Sequence, residues 1–574
     1  LVSPGKAFGK GRCGEFLTSS TEENRVVAVG YRHSEISCLS GKQDYRKRIV
    51  MTKYTPAIAN HQAAVRRAEM VSAGCHVEGV CLPHPDTHDP YSLEAGVKKR
   101  MGQILPVAGR AFYRRLRRTV TKWIKSRNIS PLSPEVDRSF ETWLSRTTYD
   151  TKRKEQLTKI HQDIVDFLER DRSGALKFFK VKLFTKDETY VTWKHARGIY
   201  AREDVAKVYF GPYIKLMEDV IYEQPEFIKH VPVRDRAKYI MNQVYVEGGH
   251  YIATDYSSFE ATFVQQLMLN CEFVLYEHLL SALSEGPEVL AILKEVLTGK
   301  NIVQNKFLHV IVVASRMSGE MNTSLGNGFS NLMLMQHACN VLGIKSLIGV
   351  VEGDDGLFVF MPGDKVPTPE LFAKFGCIIK LDTYERISDA SFCGQIFDPV
   401  DQEIVTDPVE VIAKISWINS RYAAARSSKI KALLRCKALS YYYQYPACPI
   451  VTELSLYCLR VSAGCDVTSV ISSVDSYKRE HILEALDQKV WREERRPIGE
   501  QTRQLVAEKF GVSVSDQIDI ENQLKVKTDL SPLSLKSIIA TCPYEWISYF
   551  ETFTTQCSRR ELSGSILWAP TMAA

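Results

Sequence analysis

Residues 350 to 360 read VVEGDDGLFVF and place two adjacent carboxylates, Asp354 and Asp355, inside an otherwise apolar run. Asp355-Gly356 between hydrophobic flanks predicts a hairpin, with Val350 and Val351 on one arm and Leu357 to Phe360 on the other. Turn chemistry accounts for one aspartate only. Adjacent like charges repel, so the second carboxylate gains nothing unless a cation lies between the pair. The stretch is therefore a candidate metal site whose worth depends on what other segments bring to it.

One such segment is HYIATDYSSFEATF, 250 to 263, which reads as a strand running into a turn and a helix, with Asp255 at the strand end and Glu260 five positions on. If this strand lies beside the hairpin, three carboxylates converge on one point, and they cannot all stay ionised without divalent metal. Hard oxygen ligands in this number suit Mg²⁺ or Mn²⁺ bridging a phosphate. Between the two segments lies SGEMNTSLGNGFSNLMLMQHACNVLG, 318 to 343, a glycine-rich loop entering a helix in which Leu332, Met335, Cys339 and Leu342 recur at helical spacing. Thr323 and Asn327 are four apart and share a face if the helix has begun, a small polar pair suited to a sugar hydroxyl; ordinary N-capping is the alternative. Upstream, KVKLFTKDETYVTWKHARGIYARE, 180 to 203, supplies Lys186, Lys194, Arg197 and Arg202, a cationic ribbon for a triphosphate or a charged sheet edge.

The chain has 574 residues, 45% of them hydrophobic, enough for a large enzyme built around a shared cleft or for several domains. A net charge of +7 permits a polyanionic partner without demanding one. Its 14 cysteines are scattered and no secretory signal is present, which favours reduced thiols in a cytosolic setting. No apolar run reaches the ~18 residues of a spanning helix. The first residue is leucine, which reads as a fragment, a processed product or the downstream part of a longer frame.

Residues 1 to about 95 mix strand-like runs (RVVAVGY, RKRIVMTKY) with polar turns and close on LPHPDTHDPYS, which reads as a linker. Nearby Cys75, His76, Cys81, His84 and His88 are candidate zinc ligands, though their spacing matches no standard knuckle. Residues 98 to 127 form a basic block in which Phe112, Leu116, Val120 and Trp123 recur at helical spacing, predicting a buried stripe flanked or opposed by Arg114, Arg115, Arg117, Arg118, Lys122 and Lys125. That cationic face is either solvated or a contact for nucleic acid or a membrane surface. A second block, 421 to 446, sets Arg421, Arg426, Lys429, Lys431, Arg435 and Lys437 before three tyrosines, a pattern for RNA phosphates and bases or for core packing.

The order of these pieces is more specific than any one of them. A basic segment, Asp-x4-Glu, Ser-Gly-x3-Thr-x3-Asn, Gly-Asp-Asp, then FGCIIKLDTY and SFCGQIFD over residues 140 to 400 resembles the catalytic core of RNA-dependent RNA polymerases of positive-strand RNA viruses, in the tombusvirus-like or nodavirus-like branch. The resemblance implies an α+β right hand: an N-terminal extension over 1–97, fingers at 98–245 and 265–315, a palm with an antiparallel sheet at 246–264 and 316–402, and a helical thumb and C-terminal region at 403–574. It implies template-directed RNA synthesis by two-metal nucleotidyl transfer. Asp255 and Asp354 would be the principal ligands of two Mg²⁺ or Mn²⁺ ions and Asp355 ancillary; Ser318, Thr323 and Asn327 would lie beside the nucleotide. Lys186, Lys194, Arg197 and Arg202 would line its path, Glu260 would contact the ribose, and Lys380 would donate a proton to pyrophosphate, with Lys374 as competitor. Gly319, Gly394, Arg435 and Lys437 would touch RNA, Gly394 within the hairpin Phe392-Cys393-Gly394-Gln395. Template and product RNA, NTPs and viral or host replication proteins are the implied partners, in host cytoplasm at membrane-associated replication complexes reached through a partner or a missing upstream segment. Many relatives carry Asp where this chain has Glu260.

A catalytically silent RNA-binding scaffold would have no use for the carboxylate cluster, and a reverse transcriptase would gain from a steric block where Thr323 and Asn327 are polar. No Walker A loop, HExxH or GxSxG pattern is present.

Overall fold

A computed structural model describes residues 27–29, 49–54, 70–168, 178–474, 476–492, 495–553, 558–562 and 565–569. Three larger sheets and a run of helices organise them. The sheet that carries the carboxylates has four strands in the order Ile379–Tyr384, His250–Tyr256, Asp355–Phe360, Ile348–Glu352, all antiparallel. Its side chains alternate between two cores. Ile252, Tyr256, Val351 and Phe358 enter one core, shared with the helices Arg110–Ser126, Glu272–Leu280 and Thr323–Leu342; Tyr251, Val350, Leu357 and Val359 enter another, shared with residues 71–82 and the C-terminal helices. The period of two thus decides which core each residue serves. Asp255 and Asp355 are in phase with the second set.

A six-stranded sheet runs in the order Val27–Val29, Ile49–Tyr54, Leu308–Val313, Lys300–Gln304, Lys180–Thr185, Gly198–Arg202, with Lys180–Thr185 and Lys300–Gln304 paired in parallel. Beyond residue 427 the chain is mainly helical, with Ser427–Gln444 packed between Val451–Val461 and Ser476–Gln488.

The helix Arg110–Ser126 lies where hydrophobic periodicity places it, burying Phe112, Leu116, Val120 and Trp123. The expected linker does not exist as such. Residues Cys81 to Pro85 are buried, and Asp89 caps the helix Pro90–Met101 by accepting from the Tyr91 and Ser92 amides. Prolines and histidines in a row signal irregular backbone, not exposure, and here that backbone is packed.

Candidate active site

The hairpin turns two residues earlier than Asp-Gly chemistry suggests. Glu352 pairs with Asp355, so Gly353 and Asp354 form the two-residue turn, with Gly353 at φ 62°, and Asp355 opens the second strand. Gly356 serves close packing instead. A Cβ there would lie 2.6 Å from the Phe358 ring, 3.0 Å from Thr254 Oγ1 and 3.1 Å from Asn331 Nδ2. Asn331 Nδ2 donates to the Asp354 carbonyl at 3.0 Å, Thr254 Oγ1 donates to it at 3.2 Å, and the Tyr256 hydroxyl donates to Asn331 Oδ1 at 3.2 Å. The backbone that carries Asp354 is therefore clamped while its carboxylate stays available.

The strand register sets Thr254 opposite Gly356, and continued by one residue it brings Asp255 opposite Asp355. All three aspartates open to solvent at the end of the sheet, yet protein crowds Asp354 and Asp355 on most sides. Burial pushes Asp354 above the usual carboxylate range, and Glu260 adds to the rise. Asp355 is pushed up to about 7 by burial and by Asp354, with Glu352 and Asp255 contributing. Such a cluster attracts a compensating cation. The donors fit one: accessible, hard carboxylate oxygens are the set that Mg²⁺ or Mn²⁺ takes. The three side chains do not meet at one point as expected; among the described residues no three His, Cys, Asp or Glu side chains gather closely enough to enclose an ion.

Glu260 forms an ion pair with Arg100 at the end of the helix Pro90–Met101, a residue that no local pattern singled out. Lys380 lies across from Asp255 in the adjoining strand and pairs with Asp382, which raises its pKa, whereas Lys374 only follows the helix Pro369–Ala373. Gly394 occupies a tight turn closed by paired hydrogen bonds of 2.9 Å between Phe392 and Gln395, and the Cys393 thiol beside it approaches Glu352 at 3.9 Å.

The 318–327 loop is built against the strand Gly198–Arg202. Ser318 Oγ accepts from the Tyr200 amide at 3.2 Å, and a Cβ on Gly319 would sit 2.8 Å from Ala201 Cα. Gly319 is thus required by backbone contact and need not touch RNA. Thr323 begins the helix Thr323–Leu342 and donates to the Met317 carbonyl at 3.0 Å. Asn327, one turn on, accepts from Arg316 Nε at 3.1 Å. Arg316 is fully buried, 2.5 Å from Glu272 and 3.7 Å from Glu320, with its guanidinium 4.2 Å from the Phe263 ring centroid. Arg202 belongs to this same interior network. It pairs with Glu320 and donates to Asn301 Oδ1 at 2.6 Å, so it does not line a nucleotide path; strand alternation with buried Tyr200 turns it inward. Arg197 and Lys186 share Glu188, at 2.7 Å and 3.3 Å, and although burial raises Glu188, Arg197 and Lys186 hold it at about 2. Arg197 also acts on Asp354 electrostatically. Lys194 lies 5.3 Å from the Tyr190 ring centroid.

The second basic block turns partly inward. Lys437 is half-buried and donates to the Trp417 carbonyl at 2.7 Å and to that of Lys414 at 3.3 Å, and Arg435, also half-buried, donates to the Leu459 carbonyl at 3.0 Å. Both charges are engaged with backbone carbonyls, and Tyr442 and Tyr443 are core. Burial, Lys478 and Lys414 push Lys437 down to about 7. Lysine in an unfolded chain keeps its proton to about pH 10.4, so folding releases one between these values and stability rises with pH across that window. Lys437→Met should flatten the rise. Denaturation midpoints measured from neutral to alkaline pH check this, and parallel profiles would exclude it.

The candidate zinc ligands go to separate partners. Cys75 meets Cys458, His76 Nδ1 meets Ser72 Oγ at 2.8 Å, Cys81 faces the Leu82 carbonyl, His84 Nε2 meets Asp187 at 2.7 Å, and His88 is exposed.

Residues 180–528, more than half of the chain, match the family described as viral RNA dependent RNA polymerase. Among curated proteins, the RNA-directed RNA polymerases of greasy grouper nervous necrosis virus and striped jack nervous necrosis virus are 27% and 25% identical over 246 and 244 residues, each match covering 41% of this chain and 24% of the relative. The RNA-directed RNA polymerase of Panicum mosaic virus (strain United States/Kansas 109S) is 24% identical over 321 residues, 53% of this chain and 31% of the relative. The chain thus spans about a quarter to a third of the length of these relatives in its matched part. With a match of this extent centred on the carboxylate sheet, the chain belongs to the viral RNA-dependent RNA polymerase family.

Proposed function

We propose that this chain is the catalytic part of an RNA-directed RNA polymerase, extending an RNA 3′ end by attack on the α-phosphate of an NTP with release of pyrophosphate. The observation that carries the reading is the sheet end where the strand bearing Asp255 adjoins the Asp354-Asp355 turn, with Asp354 and Asp355 held above their usual range. In the right-hand layout, fingers comprise 98–245 and 265–315, the palm 246–264 and 316–402, and the thumb region 403–574.

Asp255, Asp354 and Asp355 would hold two divalent ions, Mg²⁺ or Mn²⁺, which when bound neutralise the triphosphate and acidify the attacking hydroxyl. Asn331 and Thr254 keep the Asp354 turn in place. Arg197, Lys186 and Lys194 attract the triphosphate, and Lys380 returns a proton to the leaving pyrophosphate. Arg316 offers only donors, so Asn327 must give it the amide oxygen, which leaves the NH₂ end to donate to a ribose 2′ hydroxyl. Glu260, held by Arg100, supports the same sugar edge. Localisation follows the same reading: host cytoplasm, at membrane-associated replication complexes. Among the described residues no helix is long and apolar enough to cross a membrane.

Purified protein with a homopolymeric template and labelled NTP, with and without Mg²⁺, tests the activity; no template-dependent product would reject it. Asn327→Ala tests the sugar contact. Losing one hydrogen bond costs ~1–3 kcal/mol of discrimination, roughly ten- to a hundredfold, so the ratio of kcat/KM for an NTP over its dNTP should narrow. An unchanged ratio would place the sugar contact elsewhere.

A further inference from the structure

The helix Arg110–Ser126 carries seven basic residues and no acidic one. Arg117 pairs with Glu277 at 3.1 Å; Arg110, Arg114, Arg115, Arg118, Lys122 and Lys125 are exposed and have no ion pair among the described residues. Their spacing sets about one charge or more per 5.4 Å turn along a straight ridge of about 20 Å. The ridge is not part of the catalytic cleft. Its buried side rests on the helix Thr323–Leu342, with Trp123 against Phe329 at 5.5 Å and Phe112 against His337 at 5.4 Å between ring centroids. That helix in turn covers the sheet face bearing Ile252, Tyr256 and Phe358, while Asp255 and Asp355 are in phase with the opposite face.

We propose that this ridge is a second RNA-binding surface, which grips the phosphates of strand lying outside the stretch being copied. The proposal rests on the polymerase reading for the identity of the polyanion. Charge alone complements any polyanion, and the side chains of the outer face favour RNA over a lipid surface. Phe112, Leu116, Val120 and Trp123 are spent in the core, so the outer face offers no large apolar side chain to enter a bilayer, Ala111 being its one exposed apolar residue. Arginines outnumber lysines five to two, and guanidinium forks suit phosphate oxygens in pairs.

The test combines Arg114→Gln, Arg115→Gln, Arg118→Gln and Lys122→Gln in the full chain, all at exposed positions that leave the packed stripe intact. Binding of a long single-stranded RNA is measured against salt, beside extension of a short primer–template that occupies only the cleft. Each lost phosphate contact removes about 0.7 from the log–log slope, so the slope should become shallower by up to about 3 while short-template extension is unchanged. Replacing the three arginines by lysine should restore the slope. An unchanged slope overturns the proposal, as does a loss of binding to phosphatidylserine vesicles with the RNA slope retained. Failure of both proteins to extend the short template would instead reject the polymerase reading, and the slope would still report on the ridge.

Discussion

Asp354→Asn should leave a folded, RNA-binding protein that no longer incorporates nucleotides. The amide is isosteric with the acid, and the turn is held through the residue 354 carbonyl by Asn331 and Thr254, so the clamp survives the substitution. What disappears is one negative charge beside Asp355 and Glu260. Loss of a single electrostatic stabiliser at a reacting centre costs about 10²–10³ in rate, and a cation ligand should cost at least that. Relief of repulsion should hold the thermal midpoint of the metal-free protein equal to or above that of the parent. Single-nucleotide extension, RNA affinity and the melting curve are read together. Incorporation within a few-fold of the parent would remove Asp354 from the reaction; a collapsed melting curve would make its role structural.

Arg316→Met should produce the largest loss of stability. The guanidinium is shared by Glu272 and Glu320, all three buried, and it also anchors Asn327. Breaking a buried pair from one side costs roughly 3–5 kcal/mol, because the surviving charge has no partner. Burial already raises Glu272, and without Arg316 it rises further. A carboxylate with a raised folded-state pKa makes stability fall as pH climbs towards that value, so the gap between variant and parent should widen from mildly acidic to mildly alkaline buffer. Adding Glu272→Gln should recover part of the loss, since the two residues act as one unit. Urea midpoints at two pH values measure all of this. A gap below ~1 kcal/mol, against the expectation for a buried pair, would show that water reaches Glu272.

The elements that were legible in the sequence share a property: their signal is local and periodic. The Arg110–Ser126 helix announces its buried stripe every third or fourth residue, and Asp255 and the Asp354-Asp355 pair interrupt apolar strands conspicuously. The hairpin was found but its turn misplaced by two residues, because Asp355-Gly356 has good turn chemistry and only the cross-strand neighbours Thr254 and Asn331 reveal that Gly356 is there for space. Charge counting failed where a long side chain can bury its stem and still reach a carbonyl, as Lys437 does, and where strand alternation turns Arg202 inward. Alternation from buried Tyr200 was a usable signal for the latter. Arg100, Arg316 and Asn331 carry no local mark. Their partners Glu260, Glu272 and Asp354 lie 160, 44 and 23 positions away, so only the fold brings them together.

The carboxylate sheet divides its residues between two cores, one shared with the Arg110–Ser126 and Thr323–Leu342 helices and the other with the C-terminal helices. We expect each core to act as a cooperative unit, with Asp255 and Asp355 at the end of the sheet between them. Melting of either unit removes one wall of the sheet and lets the strand ends splay, while the other unit still holds its share of the native signal. Heating should accordingly abolish the proposed nucleotide incorporation below the temperature at which bulk helicity is lost. Ligands that bridge the carboxylates should fuse the two transitions into one.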